Sequence, residues 1–273
     1  MQGIMSSTKR QSSRVKKRKL EEEKALERAK ERASKARKKM KGAVPTAIKE
    51  LKGKAGYRPG QANKPAPRAE VTREASEKYI PKRNKHDELV FPEFPLFRPN
   101  LTPSQVLQMG SFGGTYFRPI TSAVTGESYR QVYKEFPKEW FKGLTKKQVS
   151  SKTYDASVNR YGVKCGGSLD MWESSGWISD IDPYGWFQWY CRFYQGRRST
   201  DDERQVKRAL GMMSKKGRFR NMLIKKCAMA GTTHNDANIS PVVRQSLQHW
   251  GYRLTKRDAD AYVKLKKLPP LAG

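Results

Sequence analysis

The sequence predicts a mainly α fold, a compact domain of six or more short helices behind a long basic, largely disordered N-terminal arm. Three observations carry this prediction. Helix-capping residues and Pro/Gly stops recur at intervals that suit short helices. No clear period-two run or Asn-Gly hairpin signal appears, which leaves only a minor β element near 113–120. Large apolar side chains begin abruptly: of 28 aromatic residues only Tyr57 and Tyr79 precede Phe91. A packed core needs such groups, so residues 1–90 are expected to be arm and linker and residues 91–273 the folded domain.

The arm is basic and of low complexity. Residues 20–41 are rich in Ala, Leu, Glu, Lys and Arg, which favours a transient helix. Its apolar face is mostly alanine and cannot hold a core. Pro45, Pro59, Pro65, Pro67 and Pro81 then mark an irregular linker. Lys16, Lys17, Arg18 and Lys19 form a cluster suited to nuclear import or to nucleic acid.

In the folded part, Thr102-Pro103-Ser104-Gln105 is a capping box with proline at the first helical position, and the helix should end near Gly110. Residues 128–136 are expected to be helical, followed by a segment from Pro137. Thr145 caps the next. Asp182 resembles an N-cap before Pro183, where PYGWFQWYCRFYQG begins; Trp186, Trp189, Tyr190 and Phe193 share one helical face, and Gly196 stops it. That face is expected in the core, with Phe187 and Tyr194 the more exposed members. Thr200-Asp201-Asp202-Glu203 reads as a second capping box with acids favourable to the helix dipole. Ser240-Pro241 opens a helix closed by Gly251. Thr255 caps the last, stopped by Pro269-Pro270.

Composition bounds the function. Fifty-seven Lys and Arg against 26 Asp and Glu leave a net charge of +31, which points to a polyanionic partner. No run is long and apolar enough for a transmembrane helix, and the start MQGIMSSTKRQSS lacks the apolar stretch of a secretory signal, so no membrane role is expected. Three scattered cysteines, Cys165, Cys191 and Cys227, imply a reducing intracellular compartment rather than a disulfide framework.

The strongest candidate site lies in 183–226. Arg192, Arg197, Arg198, Arg204, Lys207, Arg208, Lys215, Lys216, Arg218 and Arg220 are expected to line a phosphate-facing surface, with Phe219 placed to stack on a base. Arg204, Lys207 and Arg208 share a helix face, while Val206, Leu210 and Met213 face inward. A glycine-rich loop offers a second anion site through Gly113, Gly114, Thr115 and Arg118, although it lacks the spacing of a phosphate-binding P-loop. Residues 164–168 form another glycine turn.

For catalysis, Asp170, Glu173, Asp180 and Asp182 are clustered in sequence. They suit a Mg²⁺-dependent nuclease or a base-excising glycosylase, the one reading that calls for a cofactor. Otherwise no cofactor and no metal are expected, since no CxxC or HxxxH spacing occurs. The expected function is therefore binding of DNA or RNA through phosphates, without catalysis. The alternatives are a nucleic-acid-processing enzyme and a structural component of a ribonucleoprotein particle. A nuclear location is expected, with an organellar or ribonucleoprotein-associated one as the alternative.

Overall fold

A computed structural model describes residues 67–272. The expectations for the import cluster and for a transient helix over 20–41 lie outside the described residues. Backbone contacts divide the chain into two units; the larger comprises Tyr57–Ala228 and Thr232–Gly273, and the fold below is that of its described residues. Met229–Gly231 are the described residues of the other unit.

The mainly α prediction holds. The helices are α1 (Pro103–Gln108), α2 (Lys146–Val149), α3 (Leu169–Ser174), α4 (Trp186–Tyr194), α5 (Asp202–Met213), α6 (Arg218–Met229), α7 (Pro241–His249) and α8 (Lys256–Lys266). Tight 3₁₀ turns lie at Phe112–Gly114, Val132–Glu135, Lys138–Phe141 and Ala156–Val158. Strand β1 (Val71–Arg73) pairs antiparallel with β4 (Arg198–Ser199), and β2 (Ile120–Thr121) with β3 (Ser128–Tyr129).

Several caps behave as the sequence predicts. The Thr102 hydroxyl accepts from the Gln105 N–H, and the Gln105 side chain accepts from the Thr102 N–H. The Thr255 hydroxyl accepts from the Asp258 N–H at the start of α8. Gly196, at φ +88°, takes the left-handed conformation that ends α4.

Other expectations are corrected. Residues 128–136 form a strand and a 3₁₀ turn instead of a helix. The Ser122 hydroxyl accepts from Val124 and Thr125, Gly126 turns at φ +75°, and Gln131 at φ +55° interrupts any continuous helix. Asp182 does not cap α4, which starts after Gly185. Thr200 does not cap α5 either: the cap position is Asp201, and the Thr200 hydroxyl instead accepts from the Glu70 N–H. Helices α3 and α6 have no counterpart in the sequence-based expectation. Gly217 makes the turn into α6 possible, since a Cβ there would lie 2.5 Å from the Met212 carbonyl oxygen.

The core is built on α4, whose Phe187, Trp189, Tyr190, Cys191 and Phe193 are all closed to solvent. A helix apolar around most of its circumference belongs at the centre of a domain. Phe187 is thus buried, contrary to expectation; its ring packs 4.9 Å from Phe112 and 5.1 Å from Tyr116. Tyr194 is half-buried against Trp140. Phe97 touches Trp186, Trp189, Tyr190 and Phe193 from the other side. Burying each such ring contributes roughly 1.5–3 kcal/mol.

The chain joins this body well before Phe91. Ala69 donates to Asp180, Ser76 to the Gln195 carbonyl and Leu89 to the Pro99 carbonyl, while the ring of Tyr79 lies against Gly196. The aromatic content of the sequence misses this segment because backbone hydrogen bonds, rather than large side chains, hold most of it.

Candidate nucleic-acid interface

Arginine and lysine differ in how they tolerate burial. The guanidinium is a weakly hydrated fork that matches a carboxylate; the ammonium is a strongly hydrated point charge. The fold sorts the two accordingly. Among the described residues every lysine except the half-buried Lys226 is exposed, and Lys256 alone has a carboxylate partner, Asp260. Arg197, Arg198, Arg220 and Arg244 are buried.

Five arginines expected on the contact face are therefore internal fasteners. Arg197 holds Asp182 through two hydrogen bonds of 2.7 and 2.6 Å. Arg192 bridges Glu135 at 2.8 Å and Asp182 at 3.0 Å; burial disfavours its charge, but these carboxylates outweigh that and raise its pKa. Arg198 lies 4.1 Å above the Phe193 ring and reaches Glu93 at 3.2 Å. Burial pushes the Glu93 carboxyl up, but hydrogen bonds from the backbone, Arg198 and Arg73 prevail and hold its pKa at about 2. Arg204 pairs with Asp201, and Arg220 lies 3.4 Å from Asp258. Asp182 and Asp201, both read as capping acids, are thus partners of these cations.

What remains is a smaller, purer basic surface. Helices α5 and α6, twelve residues each, are joined by the four-residue turn 214–217. Lys207 on α5, Lys215 and Lys216 on the turn, and Arg218 on α6 are exposed, as expected. The solvent side of α6 adds Lys225, with the half-buried Lys226 beside it, while Leu223, Ile224, Cys227 and Ala228 face the core. No Asp or Glu occurs from Arg204 to Asn235, and among the described residues none of these cations has a carboxylate partner. Phe219 is half-buried beside Arg218, whose guanidinium lies 5.2 Å from its ring.

Arg208 is a different case. It is half-buried, with its guanidinium carbon 5.4 Å from the Trp177 ring and 5.6 Å from the Trp250 ring. It donates to the Trp177 carbonyl and to Gln205, but to no carboxylate among the described residues. Burial and the neighbouring Arg204 charge lower its pKa to about 10.

The glycine-rich loop is corrected as a phosphate cradle. Its amides are already used: Gly113 donates to Asn159, Gly114 to the Ser111 carbonyl and Thr115 to the Phe112 carbonyl. Arg118 donates to the Thr115 carbonyl. Gly113 lies beneath the Tyr154 ring and Gly114 against the Lys147 carbonyl, so the glycines serve close packing. Next to the loop, however, lies an open groove of about 330 Å³ lined by Pro119, Lys146, Lys147, Ser150, Ser151 and Lys152. No motif or charge cluster of the sequence marks these lysines as a site. At the second glycine turn, Ser168 caps α3 by accepting from Met171.

The acids proposed for catalysis do not converge. Asp170 is exposed on α3. Glu173 accepts from the Ser122 hydroxyl and the Ala123 N–H, Asp180 from the Ala69 and Ile181 amides, and Asp182 is closed off by arginines. Glu173, Asp180 and Asp182 each meet a structural need in a different place. No group of three His, Cys, Asp or Glu among the described residues is placed to hold a metal ion. The three cysteines are free, and burial raises the thiol pKa of each. No described helix is long and apolar enough to cross a membrane. Compared with models of known families, with curated proteins and with solved structures, the chain has no match.

Proposed function

We propose that the protein binds nucleic acid through its phosphates, using the corner formed by α5, the 214–217 turn and α6. The carrying observation is that Lys207, Lys215, Lys216, Arg218 and Lys225 stand exposed on a stretch that contains no acid from Arg204 to Asn235. Mutually repelling cations destabilise a compact body unless a partner neutralises them. Each phosphate they neutralise releases condensed counterions, which favours binding and makes it depend on salt. The separated acids give no support to a nuclease or glycosylase. Under the same proposal Lys16, Lys17, Arg18 and Lys19 direct nuclear import; replacing all four with alanine then leaves a fluorescent fusion in the cytoplasm.

The test is a salt titration of affinity for labelled oligonucleotides by the full chain and by the Lys215→Glu/Lys216→Glu/Arg218→Glu variant. Three lost contacts flatten the plot of log affinity against log salt by about 2 on a single strand. Wild-type affinity that is indifferent to salt, or equal slopes for the two proteins, overturns the assignment.

A further inference from the structure

Resting on that reading, we infer that the corner takes single-stranded nucleic acid, with an unstacked base on the indole of Trp177 and the adjoining phosphate on Arg208. The partner must be single-stranded because a base inside a duplex already has both faces covered.

Three independent features meet here. The first is Trp177, which leaves 37% of its surface in solvent although it is a large apolar side chain. Its backbone is fixed: its carbonyl accepts from Arg208 at 3.2 Å and from Arg204 at 3.4 Å. The indole is therefore presented from an anchored backbone, with Arg208 beside its ring. The second is Arg208, near the rings of both Trp177 and Trp250, the latter packed in a tilted pair 4.2 Å from Trp186 of the core. Its hydrogen bonds to protein all leave from one nitrogen, Nη1, and Nε and Nη2 have no protein acceptor among the described residues. A guanidinium beside two indoles, with no carboxylate partner among the described residues and with a free edge, is suited to an incoming phosphate. Its lowered pKa, from burial and from Arg204, reflects the same missing counter-charge.

The third is Gly211. It lies inside α5, where glycine costs up to about 1 kcal/mol relative to alanine. Packing does not require it: it is exposed, and a Cβ there would meet nothing within 4 Å. Gly211 follows Lys207 by four residues and Arg208 by three, so the three share one helical face. Bare backbone at that place admits a strand close to the helix, between the Lys207 ammonium and the Arg208–Trp177 pair.

Binding of fluorescent single-stranded DNA, single-stranded RNA and a duplex of equal length to the full chain tests this. Trp177→Ala should weaken single-strand binding by about tenfold or more, Trp177→Phe by much less, and duplex binding should change less than about twofold. Gly211→Leu should keep or raise the melting temperature, because leucine is a better helix former, yet weaken single-strand binding. If Trp177→Ala and Gly211→Leu both leave single-strand affinity within about twofold while the triple charge reversal abolishes it, the stacking site is wrong and the basic corner stands. If the wild-type chain binds none of the three probes, both readings fall. A response to the DNA strand alone, or to the RNA strand alone, identifies which sugar the site accepts and supports the inference.

Discussion

The guanidinium of Arg197 grips the carboxylate of Asp182 through two hydrogen bonds of 2.7 and 2.6 Å, with both side chains shut away from solvent. The pair links the turn before α4 to the segment that becomes β4, and Arg192 adds a third hydrogen bond to the same carboxylate. A buried ion pair of this kind is a poor source of net stability but costly to break, because the surviving charge has no water to replace its partner.

Arg197→Met should therefore destabilise the protein by about 3–5 kcal/mol. The double variant Arg197→Met/Asp182→Leu should recover part of that loss, since neither charge then remains. Urea denaturation measures both. A single variant as stable as wild type would mean that the pair does not hold the fold.

Charge reversal should sort the basic groups by role. Lys215→Glu/Lys216→Glu should lower nucleic-acid affinity at constant melting temperature, because both side chains are exposed and have no carboxylate partner among the described residues. Reversing Lys146 and Lys147 in the groove should lower it less, and Arg28→Glu/Arg32→Glu less again. Anisotropy titrations at one salt concentration compare the three; an equal or larger loss from the last pair would move the binding surface to the N-terminal arm.

His249 should make the protein acid-labile. The Phe112 N–H donates to its Nε2 at 3.0 Å, Gln245 lies 3.0 Å from the same atom, and the Phe112 ring stacks at 4.0 Å. Burial lowers its pKa from 6.5 to about 3. Between those values the unfolded chain binds a proton that the folded protein refuses, so this contribution to stability is lost as pH falls. From pH 7 to pH 5 the loss is about 2 kcal/mol. Denaturation curves across that range should show it, and His249→Gln should flatten the dependence. An unchanged slope in the variant would contradict the role given to this imidazole.

Two glycines at positive φ should respond unequally to alanine. Gly114 sits at φ +74°, where a Cβ would fall 1.8 Å from the Lys147 carbonyl oxygen; Gly143 sits at φ +78° with open space around it. Gly143→Ala should cost about 1–2 kcal/mol from the left-handed conformation alone. Gly114→Ala should cost clearly more, since backbone must move as well. Thermal melts decide; equal losses would show that the 112–114 turn yields more easily than its packing implies.

Local signals were legible where the chemistry was local. The box of Thr102 with Gln105, the Thr255 cap and the stop at Gly196 each depend on residues a few places apart. Helix α6 was hidden because Lys and Arg around Gly217 resemble a loop, and its apolar residues Leu223, Ile224 and Cys227 gain meaning only against a core. At the candidate site, Lys207, Lys215, Lys216 and Arg218 were readable as solvent-facing charges. The role of Trp177 was not, since its exposure depends on how the segment before α4 settles against α5.

By itself, then, the chain's order of residues determined the helical class, the position of its aromatic centre and the amount of uncompensated positive charge. Only the tertiary structure decided which cations keep that charge available. Arg192 finds Glu135 across 57 positions and Arg198 finds Glu93 across 105, distances over which no helical period or spacing rule operates. Pairing depends on separation in space and on exclusion of water, and both come into being when the core closes.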